Sequence, residues 1–261
     1  MAIQDIAGVV AALVAAEDNR IARTRITDEW PQLDTKIAYE AQQALVQHRV
    51  AQGDQVIGVK LGLTSRAKQV RMGINSPLTA VLFKRYRLSN DQPIPLGKLI
   101  QPRIEPEIVF VMQHELRGPD VTPEQAMAAV KSIHAGFEVI DSRFIDYSFA
   151  LPDVISDNAS SAFFYMSDES VGPKDLHLKF EAVALSLNGK TLATATGAAV
   201  QGHPAIALAL AANEMAARGQ YIPAGSIVLT GGMTDAIPVS PGDQISAEFT
   251  TLGSLFVGTE N

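Results

Sequence analysis

An α+β fold, with a mixed, strongly curved β-sheet roll and a helical N-terminal region, is predicted from three features of the 261-residue sequence. The first fifty residues repeat their apolar positions at helical spacing. From Val56 onward the pattern changes to short apolar runs separated by Gly, Pro, Asn and Asp. Those runs do not alternate regularly with helices, which argues against a doubly wound parallel sheet. The length suits a single domain, divided into a helical arm over 1–53 and a β-rich core over 54–261. No internal repeat or low-complexity tract interrupts it.

The first helix is expected around AGVVAALVAA, with Ile3, Ile6, Val10, Leu13 and Val14 on one face. This run is too short for the roughly 20 apolar residues that cross a bilayer. The preceding MAIQDI carries only Asp5, whereas a signal peptide needs positive charge there. The run therefore reads as an amphipathic helix of a cytoplasmic protein. ITDEWPQLD reads as a connection, and a second helix is expected from an Asp34 cap to Gly53. VIGVKLGL, RIEPEIVFVM, GFEVID, SAFFYM, EAVALSLNG, TLATATGAAV, GSIVLTGG and DQISAEFTTLGS read as strands, with a hairpin turn at Asn188–Lys190. Three further helices are marked. TSRAKQVRMG has Thr64 or Ser65 as cap, and TPEQAMAAVKS has a capping-box pattern of Thr122 and Gln125 around Pro123. HPAIALALAANEMAARG runs from Pro204 to a stop at Gly219, with His203 in the capping region.

Composition excludes several function classes. With no cysteine, disulfides, thiolate zinc sites, iron–sulfur clusters and Cys nucleophiles are ruled out. A net charge of −7 argues against nucleic-acid and anionic-membrane partners. Charged residues make up only 19%, below the roughly 25% of typical soluble domains, so part of the surface is expected in homo-oligomer contacts. No GxSxG, Walker or GxGxxG motif is present, which argues against a nucleotide cofactor, and no His pair has metal-ligand spacing.

The segment richest in chemistry is QPRIEPEIVFVM. Glu105 and Glu107 stand two apart on a strand, so both carboxylates project from one face. Pro106 between them fits an edge or first-residue position. Carboxylates held this close need a proton or a cation between them, and a hard divalent ion such as Mg²⁺ or Mn²⁺ suits oxygen ligands. Glu138, set in the apolar run FEVI, is a third candidate. It would be costly to bury alone, and an arginine such as Arg103 or Arg143 would also satisfy it. Lys60 interrupts an apolar strand. It either snorkels to solvent or supplies a cation to a substrate carboxylate or enolate. Ser160 and Ser161 in SDNASS, and the glycine pair of LTGGMTD, suit ordinary turns as well as substrate contacts.

KLGLTS, QPRIEPEI, FEVIDSR, SDNASS, QGHPA, LTGG and PGD with LGS follow one another as in bacterial 2-hydroxypenta-2,4-dienoate hydratases and 4-oxalocrotonate decarboxylases. The chain resembles that family over nearly its whole length, and the family shares the C-terminal fold of fumarylacetoacetate hydrolase. The resemblance implies a single catalytic domain and a Mg²⁺ or Mn²⁺ site made by Glu105, Glu107 and Glu138. It implies an active-site role for Lys60, a substrate contact at Ser160, and a substrate-carboxylate contact at the Thr230–Gly231 turn. It also implies a small 2-oxo dicarboxylate as substrate and a complex with a companion hydratase, with no nucleic-acid or membrane partner. Hydratases of the family typically carry P-D-F-G, whose Asp moves the proton, after the first core helix. Here Leu78 follows Pro77, and Thr79–Ala80 departs from both branches. The missing Asp and the GLTS, EVIDSR, DNASS and GHPA spellings favour the decarboxylase branch, in which 2-oxohex-3-enedioate loses CO₂ to give 2-hydroxypenta-2,4-dienoate in meta-cleavage catabolism of aromatic compounds. The hydratase is the alternative, and a non-catalytic partner subunit of that hydratase is a third reading. Carbon–carbon bond hydrolases of the wider family carry a water-activating His–Glu pair, and TSRAKQVRMG has neither residue.

Overall fold

The structure is a computed structural model that describes residues 5–260. Ile3, expected on the first helix, lies outside the described residues. Helix α1 (Ile6–Asn19) begins where the Asp5 carboxylate accepts the Gly8 N–H at 2.8 Å. It buries Val9, Val10, Leu13 and Ala16, with Ile6 and Val14 at the margins of that stripe. Within the expected connection, Ile26–Glu29 forms a one-turn helix, α2. A long-range contact supports that turn: the Asp153 carboxylate accepts from the Thr27 N–H and hydroxyl at 2.8 and 3.0 Å. Helix α3 (Thr35–Ala51) is capped by Asp34, as its spelling indicates.

Strand β1 (Val56–Gly62) leads to α4 (Arg66–Met72), capped by Ser65 and stopped at Gly73. Then come β2 (Leu78–Phe83) and β3 (Arg103–Met112). Helix α5 (Pro123–Ala128) has the reciprocal Thr122–Gln125 capping box. It is shorter than its pattern suggests, because β4 (Val130–Ile140) begins where Val130 pairs with Met112. After α6 (Leu151–Ser156) come β5 (Ser161–Met166), β6 (Ala182–Leu187) and β7 (Lys190–Thr196). The Gly197–Ala199 end of the expected strand is instead a 3₁₀ turn. Helix α7 (Pro204–Ala216) is capped by His203, whose Nδ1 accepts from Ala205 N–H at 3.1 Å. The chain ends in β8 (Ile227–Gly232), β9 (Ile237–Pro238), β10 (Gln244–Phe249) and β11 (Ser254–Gly258). DQISAEFTTLGS is therefore not one strand: it holds all of β10, the turn and the start of β11. The NGK hairpin forms with Asn188 and Gly189 both at positive φ.

The larger sheet runs β2-β1-β8-β3-β4-β5, with β9 also on β3, and the smaller runs β11-β10-β6-β7. Only β1 and β8 pair in parallel, so the larger sheet is mixed. It curls until its ends meet. The Asn158 side chain, just before β5, donates to Val81 O and accepts Val81 N–H, both at 3.0 Å, on the free edge of β2. One sheet face packs Leu61, Ile108, Phe110, Phe137 and Val139 into the main core with the smaller sheet and α7. Inside the curl, Leu82, Val109, Phe164, Ile227 and Leu229 form an apolar plug. On the same face, further along the strands, stand Lys60, Glu105, Glu107 and Glu138. A second core joins α1, α2, α3 and α6 to the sheet through Leu78.

Pro106 does not lie on an edge strand. It sits in central β3 at the gap where pairing passes from β8 to β9, so its missing N–H costs no ladder bond.

Candidate active site

Antiparallel pairing sets Glu138 of β4 directly opposite Glu105 of β3, and Glu107 follows on the same face. One carboxylate oxygen from each lies within 4.8 Å of the others. Glu107 and Glu138 are almost wholly buried and Glu105 is nearly so. Glu107 Oε2 accepts the Gly231 N–H at 2.7 Å, while its Oε1 is buried without a hydrogen-bond partner. The glycine pair makes this packing possible. A Cβ on Gly232 would stand 2.0 Å from Glu105 Oε2, and one on Gly231, at φ +106°, would strike Thr64.

Lys60 is 2% exposed, so it does not snorkel. Its Nζ lies 2.7 Å from Glu138 Oε1 and donates to Ala159 O at 2.8 Å. The partner of Glu138 is thus a lysine from β1. Arg143 is committed to Asp157, and Arg103 rests over the Tyr147 ring.

Ala159 presents its carbonyl from an unusual turn. Asn158, Ala159 and Ser160 all have positive φ, at 47°, 52° and 56°. Left-handed backbone costs a non-glycine residue about 1–2 kcal/mol, so three in a row need outside support. The Asn158 clasp on Val81 supplies part of it. Arg143 supplies more: its Nε pairs with Asp157, and its Nη1 donates to Asp141 O at 2.7 Å and Ser161 O at 3.2 Å. Ser160 Oγ donates to Asp157 Oδ2 at 3.3 Å.

Above the carboxylates opens a cleft of about 720 Å³. Lys60, Glu105, Ser160 and Leu78 all line it, as do Leu63, Met72, Phe149 and Val154. Thr230 and Gly231 do not. The Thr230 hydroxyl donates to Ile108 O at 2.8 Å, and the Gly231 N–H is the one held by Glu107. Sequence reasoning missed the cationic rim of Arg25, Lys68, Arg71 and Arg103, together with Tyr147 and Asp235. Only Arg103 had a usable signal, since it stands two residues before Glu105 and shares its face.

Burial dominates the electrostatics. It pushes the Glu105 carboxyl up to about 7, against the pull of Lys68 and with a further push from Glu138. It lifts Glu107 well above the ordinary carboxylate range, and Glu138 and Glu105 add to the rise. Glu138 is also raised by burial, with Lys60 opposing. When ionised, three carboxylates and one ammonium leave two negative charges in a nearly dry site. A divalent cation with oxygen preference matches that charge, the donor set and the orphaned Glu107 oxygen. The residues fit such an ion.

The family model described as "Fumarylacetoacetate (FAA) hydrolase C-terminal" matches residues 55–257. A 4-oxalocrotonate decarboxylase of Pseudomonas sp. (strain CF600) is 38% identical over 231 residues, 88% of each chain. A 2-keto-4-pentenoate hydratase of Paraburkholderia phymatum is 33% identical over 250 residues, 96% of this chain and 95% of its own. The solved structure of a 4-oxalocrotonate decarboxylase from Pseudomonas putida G7, complexed with magnesium and adipate, superposes with a TM-score of 0.96. Its identity is 33%, and the match covers 99% of this chain and 98% of that one. Both named activities are those of lyases. Curled sheet, carboxylate triad and sequence agree, and the chain belongs to the fumarylacetoacetate hydrolase C-terminal family.

Proposed function

We propose that the protein decarboxylates 2-oxohex-3-enedioate to 2-hydroxypenta-2,4-dienoate, using Mg²⁺ or Mn²⁺ held by Glu105, Glu107 and Glu138. One observation carries the reading. Lys60 and, from the buried triad, Glu105 line a cleft whose wall includes Leu78, the residue that the sequence resemblance aligns with the hydratases' proton-moving Asp. The decarboxylase relatives support it.

When bound, the ion supplies Lewis-acid polarisation of the oxygens of the substrate's 2-oxo acid end. The chain supplies the rest. Lys60, fixed between Glu138 and Ala159 O, places an ammonium where negative charge develops on the C2 oxygen as the C5–C6 bond breaks. Ser160 lines the cleft, and its hydroxyl, which here donates to Asp157, would give the substrate a donor on turning that proton toward it. Leu78, Leu63, Phe149 and Val154 keep water from the departing CO₂. The dienolate then takes up one proton from solvent at the C2 oxygen, which completes the dienol product and balances the loss of CO₂.

Purified protein with Mg²⁺ tests this directly. Release of CO₂ from 2-oxohex-3-enedioate is expected, with absorbance changes matching hydroxypentadienoate formation. Hydration of 2-hydroxypenta-2,4-dienoate without CO₂ release would overturn it in favour of the hydratase. The same reading makes a hydratase the consumer of the product, and co-purification of the two tests whether they associate.

A further inference from the structure

The cleft's cations are not equivalent. Lys60 is held by Glu138, Lys68 Nζ lies 3.2 Å from Asp235, and Arg25 Nη2 donates to Ser148 Oγ at 2.8 Å. Arg71 and Arg103 differ: no hydrogen bond or ion pair joins either guanidinium to the described residues. Arg71 is exposed, whereas Arg103 is half-buried and stacked on an aromatic ring. Its Cζ stands 4.2 Å from the centre of the Tyr147 ring. Tyr147 is itself fixed: it and Asp146 have positive φ, and its hydroxyl donates to Ile140 O at 3.0 Å. Backbone pairing to both β4 and β9 immobilises the Arg103 main chain as well. A planar fork of donors is thus presented, already ordered, to a cleft in which it bonds to none of the described residues.

Its position sets what it can bind. Arg103 lies two residues from Glu105 on the same strand face, about 6.6 Å further toward the mouth. That main-chain offset, together with the length of the arginine side chain, puts a carboxylate four carbons beyond an oxo carbon anchored at the triad within its reach. We infer that Arg103 is the specificity-determining residue for the substrate's distal carboxylate, which it takes as a bidentate pair. This rests on the 2-oxo acid reading of the site and adds the selection of dianions over monoanions. The pair forms in the ground state and is lost as the carboxylate leaves as neutral CO₂. Arg103 therefore serves affinity rather than turnover.

Two unreactive probes of equal chain length, 2-oxoadipate and 2-oxohexanoate, test the assignment by calorimetric titration of the full chain with Mg²⁺. The wild type is expected to bind 2-oxoadipate at least tenfold more tightly, the scale of one charge-assisted hydrogen-bonded pair. Arg103→Met should erase that preference and leave 2-oxohexanoate affinity unchanged, which also reports an intact site. Arg103→Lys should restore part of it. In turnover, Arg103→Met should raise KM at least tenfold without lowering kcat. Equal binding of the two probes by the wild type overturns the subsite alone. So does a preference that survives Arg103→Met, or one erased by Arg71→Met instead. Failure of both probes to bind the wild type with Mg²⁺ overturns the 2-oxo acid reading and the subsite with it.

Discussion

Glu107→Gln should make the metal-free protein more stable while removing its ability to gain stability from a metal. Glu107 is fully buried, between Glu105 and Glu138, and one of its oxygens has no hydrogen-bond partner. Leaving such a group unsatisfied costs about 1–3 kcal/mol. Glutamine keeps the shape, keeps an oxygen for the Gly231 N–H, and turns the orphaned acceptor into a donor toward the neighbouring carboxylates. The expected gain without metal is therefore about 1–3 kcal/mol at neutral pH, or about 2–4 °C in Tm per kcal/mol for a chain near this size. The sign follows from the raised carboxyl. Below about pH 4.5 the group is protonated whether folded or unfolded, so wild type and variant should converge. As pH rises above that, both lose stability through Glu105 and Glu138, but only the wild type also loses the Glu107 share, so the gap opens toward pH 7. Adding Mg²⁺ should reverse the order, because only the wild type retains the triad. Calorimetry with EDTA and with excess Mg²⁺ at pH 4.5 and 7.5 reads all four conditions. A variant less stable than wild type in EDTA at pH 7.5, yet equally stabilised by Mg²⁺, would refute the proposed role of Glu107.

Mg²⁺ or Mn²⁺ affinity should weaken as pH falls below about 7, since the ion must displace the proton that burial holds on Glu105. Titrations in buffers of different ionisation enthalpy should show the proton released. Gly232→Ala should displace the Glu105 carboxylate, whose Oε2 would lie 2.0 Å from the new Cβ, and lower metal affinity about 10–100-fold by Mn²⁺ electron paramagnetic resonance. Arg143→Met leaves Asp157 buried and unpaired, and should cost about 3–5 kcal/mol in denaturant unfolding. Asn158→Ala removes both bonds to Val81 and should cost about 1–3 kcal/mol. It should also loosen Lys60, read as a fall in kcat, because Ala159 O lies on the same strained turn.

Local signals were legible where one residue decides the local structure. The Asp34 cap, the Thr122–Gln125 box, the Asn188–Gly189 turn and the His203 cap depend on side-chain-to-backbone bonds within a few residues. Elements held by distant partners were not legible. Helix α2 needs Asp153, and β2 draws on pairing with β1 and the Asn158 clasp. Helix α5 stops early because the pairing of Val130 with Met112 outweighs its remaining helical spelling. In the site, the i, i+2 spacing of Glu105 and Glu107 was readable as one strand face. In the rim, Lys68 and Arg71 share one face of α4 at i, i+3 spacing, but Arg25 and Tyr147 come from separate segments that no local pattern links to it.

Sequence alone determined the class of chemistry: hard oxygen ligands, no thiolate, no nucleotide loop, and an ordered set of motifs from one family. Tertiary structure decided which groups meet. Strand register set Glu138 opposite Glu105, and the neighbouring β1 brought Lys60, rather than an arginine, to it. It also turned the LTGG glycines from a substrate-binding candidate into the surface on which the carboxylates pack. The physical reason is range. Caps and alternation act within a few residues, whereas pairing of charges 78 residues apart depends on how the sheet curls, which no short stretch of sequence encodes.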